Sequence, residues 1–351
     1  MDGAGGGIFV DELSTISMVG PWAMDSNIAV SNSTVGGGAV FVADSGFTFT
    51  GEGTFSSNKA QASGRGGGVY AMGDIVIYGV KDITGNLAAT GGGFACSELG
   101  DIEIVNVLGS INDNDGATLD TGSGGGVALT LGPAPLVNIT MLGTAPDSTL
   151  AGNQCGTTLT STLGGGVVRT QGDVYIATCV SEACISFKVM DNTSPDGGGV
   201  ILAEGSVTAL FGPKTQVISN HAQLNGGIIF AASVSQFSAG VVQMCTAGEA
   251  GGAIYSDGDV TITSVTEFSS NQAFDGDGGA IRALGQVVIN SSGDFMSNEA
   301  SGHGGAIYAE GGLIGGTLGS FIENDALDGS GGAIYVTSSS SVVITSVDGF
   351  H

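Results

Sequence analysis

The sequence predicts an all-β fold: one right-handed parallel β-helix of about twelve coils, with three short strands per coil. Three observations lead there. A five-residue word, Gly251-Gly252-Ala253-Ile254-Tyr255, recurs at Gly278–Arg282, Gly304–Tyr308 and Gly331–Tyr335, with first glycines 27, 26 and 27 residues apart. A second word, Phe-x-x-Asn, falls between the copies at Phe268/Asn271, Phe295/Asn298 and Phe321/Asn324, each Phe 17 positions after the first Gly of its repeat. No stretch keeps a 3.6-residue apolar period, and the density of glycine penalises any helix. A fixed period in this range means stacked units, none of which buries its apolar face alone.

Each element follows from that frame. Traced back to the start, the Gly-Gly-small-apolar template occurs twelve times, with first glycines at Gly5, Gly37, Gly66, Gly91, Gly124, Gly164, Gly197, Gly226, Gly251, Gly278, Gly304 and Gly331. The fourth position is apolar in every copy, so it is expected to point inward. Period-two geometry then sends the second Gly and the sixth residue inward, and positions three and five outward. A Gly on the inner face leaves room for a bend or a close backbone approach. A second strand follows a Gly-Asp turn, as in Asp74-Ile75-Val76-Ile77 and Asp259-Val260-Thr261-Ile262. The third strand carries the Asn word, relaxed to apolar-x-x-Asn in most earlier copies and missing only from the repeat at Gly226.

The predicted asparagine ladder contains Asn58, Asn86, Asn114, Asn192, Asn220, Asn271, Asn298 and Asn324. A corner residue must often adopt φ > 0, which Asn tolerates, and identical amides in register can hydrogen-bond along the rod. The whole chain, 1–351, reads as a single array, irregular with insertions over 1–250 and regular over 251–351. Neither end shows a polar cap. The expectation is a segment of a longer chain or assembly, whose exposed strand edges pair with flanking repeats or another copy.

Composition narrows the function classes. Gly accounts for 65 of 351 residues, and 42% hydrophobic against 11% charged residues describes a chain with a core rather than a disordered one. Seven basic residues against 33 acidic give a formal charge of −26, which disfavours nucleic acid and anionic membrane surfaces as partners. No run reaches the roughly 18 apolar residues of a membrane span, and the opening Met1-Asp2-Gly3-Ala4-Gly5 lacks a signal-peptide pattern. The five cysteines have no zinc spacing with His. Cys179 and Cys184 are a candidate pair in an oxidising compartment, and the odd count leaves at least one thiol.

Gly-Gly-Ala-Ile/Val, at Gly37, Gly251, Gly278, Gly304 and Gly331, together with four copies of Phe-x-x-Asn, resembles the polymorphic outer membrane protein repeats. Those repeats build the β-helical passengers of chlamydial autotransporter adhesins. The resemblance implies a non-catalytic structural or adhesive rod at the cell surface or outside the cell. Its implied partners are other protein chains and host or cell-surface proteins or glycans.

The alternative is a polysaccharide-active β-helix enzyme of the pectin lyase or hydrolase kind. Gly302-His303-Gly304 resembles a word of the pectin-hydrolysing glycosidases, with Asp275, Asp277 and Asp294 near it in sequence. Such chemistry also needs clustered carboxylates on neighbouring strands and a basic clamp, which the sequence does not spell. His303, and His221 in what reads as the corresponding turn, are therefore expected to be turn residues. The turn acids Asp257, Asp259, Asp275 and Asp277 could ligate Ca²⁺, but the calcium nonapeptide is missing, so no cofactor is expected.

Position five is the candidate binding face. It reads Phe9, Phe41, Tyr70, Ala95, Ala128, Val168, Ile201, Phe230, Tyr255, Arg282, Tyr308 and Tyr335, seven of them aromatic on a face expected to point outward. Phe230, Tyr255, Tyr308 and Tyr335 form the predicted binding stripe, against the competing reading that stacked aromatics only brace the sheet. Sequons at Asn32, Asn138, Asn192 and Asn290 permit glycosylation in a eukaryotic source. The pairs Thr48/Thr50 and Thr261/Thr263 are too sparse for an ice- or mineral-binding array.

Overall fold

The computed structural model describes residues 6–11, 16–31, 36–117, 124–143, 148–155, 164–179, 184, 186–337 and 340–351. Among them there are strands and turns but no helix. Neighbouring turns pair in parallel and stack like residues on like. Ile254 lies beside Ile281, Ile281 beside Ile307, and Ile307 beside Ile334. The Gly-Gly strands, from Ile8–Val10 to Ile334–Val336, make one column of rungs, so the chain is a parallel β-solenoid of about eleven turns. The second column includes Phe47–Thr50 and Ile75–Tyr78, and the third includes Thr54–Ser56 and Asp82–Thr84. From Ile229–Gln243 onward the second and third columns run on as single long strands, as in Val260–Ser269 and Val287–Met296.

A fourth column adds to the three expected. Short strands directly after the Asn position, such as Gln272–Ala273 and Glu299–Ala300, form a separate sheet of eleven strands. The residue before each Asn turns the chain into this column. Ser57, Asp113, Asp191, Ser219, Ser270, Ser297 and Glu323 all hold φ between 51° and 55°, while the asparagines do not. The left-handed conformation therefore falls one residue earlier than expected. The physical reason is a division of labour: one residue makes the corner, and the next turns its amide into the core.

That amide is fully buried in Asn58, Asn86, Asn114, Asn153, Asn192, Asn220, Asn271 and Asn298. Asn58 Nδ2 donates to Asn86 Oδ1 at 2.9 Å, Asn86 Nδ2 to Asn114 Oδ1 at 2.9 Å, and Asn298 Nδ2 to Asn324 Oδ1 at 2.9 Å. The same Oδ1 also accepts the backbone N–H of the preceding Asn, as Asn298 Oδ1 does from Asn271 N at 3.1 Å. Cys245 takes the ladder position in the repeat that lacks Asn. Its N–H donates to Asn271 Oδ1 at 3.1 Å, while its sulfur is only a distant 3.9 Å acceptor for Asn220 Nδ2.

The two glycines of the repeated word do different jobs. Gly278 sits at φ +70°, where an L side chain is strained. A Cβ on Gly279 would lie 2.1 Å from the carbonyl oxygen of Gly305 in the next turn, so only hydrogen fits there. The third position corrects the alternation argument. Ala253, Ala280 and Ala306 are fully buried in the main core together with their fourth-position neighbours Ile254, Ile281 and Ile307. The chain bends at the glycines, so two consecutive side chains face inward and strict alternation starts only at position four. Around them Phe268, Phe295 and Phe321 stack at 4.9 and 4.8 Å. Each such ring or aliphatic chain contributes about 1.5–3 kcal/mol on burial.

Candidate binding face

Pairing in the middle of the rod corrects the reading of position five. Ala95 lies beside Val69, Ala128 beside Ala95, Val168 beside Ala128, and Ile201 between Val168 and Ile229. All four are therefore position-four core residues. The copies at Gly91, Gly124, Gly164 and Gly197 each begin one residue later than the template placed them, because a run of three glycines offers two equivalent starts. The outward column actually runs Phe9, Phe41, Tyr70, Cys96, Leu129, Arg169, Leu202, Phe230, Tyr255, Arg282, Tyr308, Tyr335.

Much of this column is covered. Phe41, Tyr70, Cys96 and Leu129 form a small apolar cluster outside the main core. Further along, Arg282 lies between two rings, its guanidinium 5.1 Å from the centres of both Tyr255 and Tyr308. Tyr308 stacks on Tyr335 at 5.4 Å. All four members of the predicted stripe thus share one column, with a cation filling the gap between Tyr255 and Tyr308. Because the rings stack along the rod axis, their faces meet each other and only their edges reach solvent. Phe230 differs: it meets Tyr255 edge to face at 4.9 Å and 80°.

Acidic residues two positions after the column bind groups one turn back. Glu98 accepts hydrogen bonds from Arg65 Nη1 at 2.6 Å and from the Tyr70 hydroxyl at 3.0 Å. Glu204 pairs with Arg169 Nη2 at 2.6 Å, and Glu310 with Arg282 Nη2 at 3.5 Å. Asp277 pairs with Arg282 Nε at 3.6 Å from the other side. Burial raises the Tyr70 phenol far above its usual range, with Glu98 adding to the shift. Burial also raises the phenols of Tyr255 and Tyr308.

Where the column narrows to Leu202 there is a cleft of about 280 Å³, lined by Arg169, Asp196, Leu202, Ala203, Glu204, Phe230, Ala232 and Asp257. Burial raises the Asp196 carboxyl above its ordinary value, with Arg169 pulling the other way. Asp196 Oδ2 is buried without a hydrogen-bond partner. Sequence alone points to Phe230 as a stripe residue and Asp257 as a turn acid, whereas Arg169, Asp196, Leu202 and Glu204 become their neighbours only in the folded stack. The available signal was the acid two residues after the column, repeated at Cys96/Glu98, Leu202/Glu204, Tyr255/Asp257 and Tyr308/Glu310. It comes into phase only when the glycine runs are registered correctly.

The remaining candidates are scattered. His303 stacks on Tyr335 at 4.4 Å, and its Nδ1 accepts the Ser330 N–H at 2.8 Å. Asp294 lies in the long strand Val287–Met296 and accepts the Ser320 N–H, so it does not join His303. His221 does not share the position of His303. It stands in the short strand His221–Ala222 directly after its Asn, and its Nδ1 is 2.8 Å from Thr246 Oγ1. Asp259 and Asp277 spend Oδ1 on backbone N–H groups of the next turn, those of Gln286 and His303, both at 2.7 Å. Among the described residues no group of three or more His, Cys, Asp or Glu side chains is placed to hold a metal. Cys179 and Cys184 form a disulfide, and Cys96, Cys155 and Cys245 are buried thiols. Of the sequons, Asn192 is buried in the ladder, Asn290 is exposed and Asn138 half-buried, while Asn32 lies outside the described residues.

These features define a class: a parallel β-solenoid with an internal amide ladder and an outward column of aromatic, aliphatic and arginine side chains. Residues 292–310 match the Chlamydia polymorphic membrane protein repeat. The matched stretch contains both words, Phe295/Asn298 and Gly304–Tyr308, and agrees with the family resemblance read from the sequence. No curated protein and no solved structure matches the chain.

Proposed function

We propose that the chain is a surface-displayed adhesive rod, non-catalytic, that binds partner molecules along its outward column. The observation that carries this reading is the column itself. A self-supporting scaffold holds one side chain per turn at roughly 4.8 Å intervals, flanked by acidic residues whose positions repeat with it. The matched polymorphic membrane protein repeat supports a place at the outer membrane or cell surface. Rigid scaffolds that carry side chains at fixed spacing suit extended, many-point contact. Binding of the purified chain to intact cells, compared with a chain in which Tyr255, Tyr308 and Phe230 are replaced by Ala, tests the proposal. Undiminished binding by a folded triple variant counts against it.

One observation favours a second reading as a polysaccharide-active enzyme. The cleft gathers three carboxylates, one of them with a raised pKa, as an acid–base pair requires. Its charge disfavours polyuronate, since three acids face a single arginine. Release of reducing ends or unsaturated products from neutral and acidic polysaccharides, lost in Asp196→Asn, would favour the enzyme over the adhesive rod.

A further inference from the structure

Along the outward column, acidic side chains two residues past it find a cation or phenol one turn back. Glu98 has Arg65 and Tyr70, Glu204 has Arg169, and Glu310 has Arg282. Asp257 breaks the series. The residue beside Tyr255 one turn back is Phe230, which carries no charge and no donor. Among the described residues no ion pair reaches Asp257, which is exposed at the rim of the cleft and has only the Tyr255 phenol of its own turn as a side-chain neighbour for its charge. Asp196, on the same cleft, keeps Oδ2 buried without a donor. Glu204 and Arg169 neutralise one another, so the remaining lining charge is that of two carboxylates. The lining includes Leu202 and Phe230, whose ring meets Tyr255 edge to face rather than stacking on it.

We infer that this cleft takes a single basic side chain, an arginine or lysine, from a partner polypeptide. The cationic group occupies the place that Arg169 and Arg282 fill in other turns, paired with Asp257 at the rim and attracted by the Asp196 charge behind it. The alkyl stem lies on Leu202 and against the Phe230 ring, which favours a cation electrostatically. A cleft of about 280 Å³ is large enough for one such side chain and too small for a folded element. The net charge of −26 draws basic partners toward the rod. This inference deepens the adhesive reading by naming the partner's chemistry at one place on the column.

The test titrates the purified chain with a short Gly/Ser peptide carrying one central arginine, and with the same peptide carrying neutral, nearly isosteric citrulline. Glucosamine is the third probe. The arginine peptide is expected to bind saturably, about tenfold or more tighter than the citrulline peptide, and to weaken as salt rises from about 0.05 to 0.5 M. Asp257→Asn, a surface change that keeps the side-chain volume, is expected to weaken it about tenfold with an unchanged melting temperature. Phe230→Ala is expected to weaken binding of the arginine peptide. Equal binding of the citrulline peptide, indifference to Asp257→Asn, no saturable binding of the arginine peptide, or saturation by glucosamine instead overturns the inference. Cell binding that survives Asp257→Asn unchanged leaves the adhesive rod standing and removes the cleft from it. Peptide binding by a chain that binds no cells keeps the cleft and removes the adhesive reading.

Discussion

Replacing Asn298 by Ala removes four hydrogen bonds at one buried point. Asn298 Nδ2 donates to Phe268 O at 3.0 Å and to Asn324 Oδ1 at 2.9 Å. Its Oδ1 accepts Asn271 N at 3.1 Å and Asn271 Nδ2 at 2.9 Å. After the change Asn271 Nδ2 keeps Val242 O, and Asn324 Oδ1 keeps the Asn298 backbone N–H. The backbone N–H of Asn271 loses its acceptor in a site that water does not reach. Stranding one such donor costs about 1–3 kcal/mol, and the other three lost bonds add about 0.5–1.5 each, so the expected loss is about 2.5–7.5 kcal/mol. Cys245→Asn is the reverse experiment. It replaces a 3.9 Å contact to sulfur by an amide that can bond both Asn220 and Asn271, and is expected to stabilise by about 1–2 kcal/mol. Because a repeat array need not unfold in one step, urea titration followed by circular dichroism is paired with hydrogen exchange at the Asn271 amide. A cost below about 1 kcal/mol for Asn298→Ala, with unchanged exchange at Asn271, would refute the claim that the amide ladder holds the turns together.

Other perturbations separate backbone geometry from side-chain contacts. Gly279→Ala sets a methyl carbon 2.1 Å from the Gly305 carbonyl, a backbone atom that cannot swing aside; a large drop in melting temperature or loss of soluble protein is expected, and a near-native melt refutes it. Ser297→Gly relieves an exposed residue at φ +51° and is expected to stabilise by about 0.5–1 kcal/mol in urea titration, whereas a loss places the strain elsewhere. Burial lowers the His221 pKa, with its contact to Thr246 working the other way. The sign follows: its contribution is fully present above the unfolded value of about 6.5 and is lost as pH falls through the lower folded value. His221→Gln should therefore flatten part of the acid-side fall in melting temperature, and parallel pH profiles for both proteins would rule this out.

The amino-acid sequence by itself determined the columns. Over residues 251–351 a period near 27 residues, Asn at a constant offset and an apolar residue after each glycine pair leave stacking in register as the one arrangement that buries every repeat's apolar side. Pattern could not decide where each repeat begins inside a run of three glycines, because residues without side chains carry no face. Pairing decided it, putting Val168 in the core and Arg169 outside. Alternation likewise could not reveal that Ala253 and Ile254 both turn inward, since that depends on a bend allowed only by Gly251 at φ +65° and the contact between Gly252 and the next turn. The cleft depends on residues from four successive turns, Arg169 from one, Asp196 and Glu204 from the next, Phe230 from the third and Asp257 from the fourth. Such neighbours are far apart along the chain and adjacent only across the stack, so their meeting belongs to the tertiary structure alone.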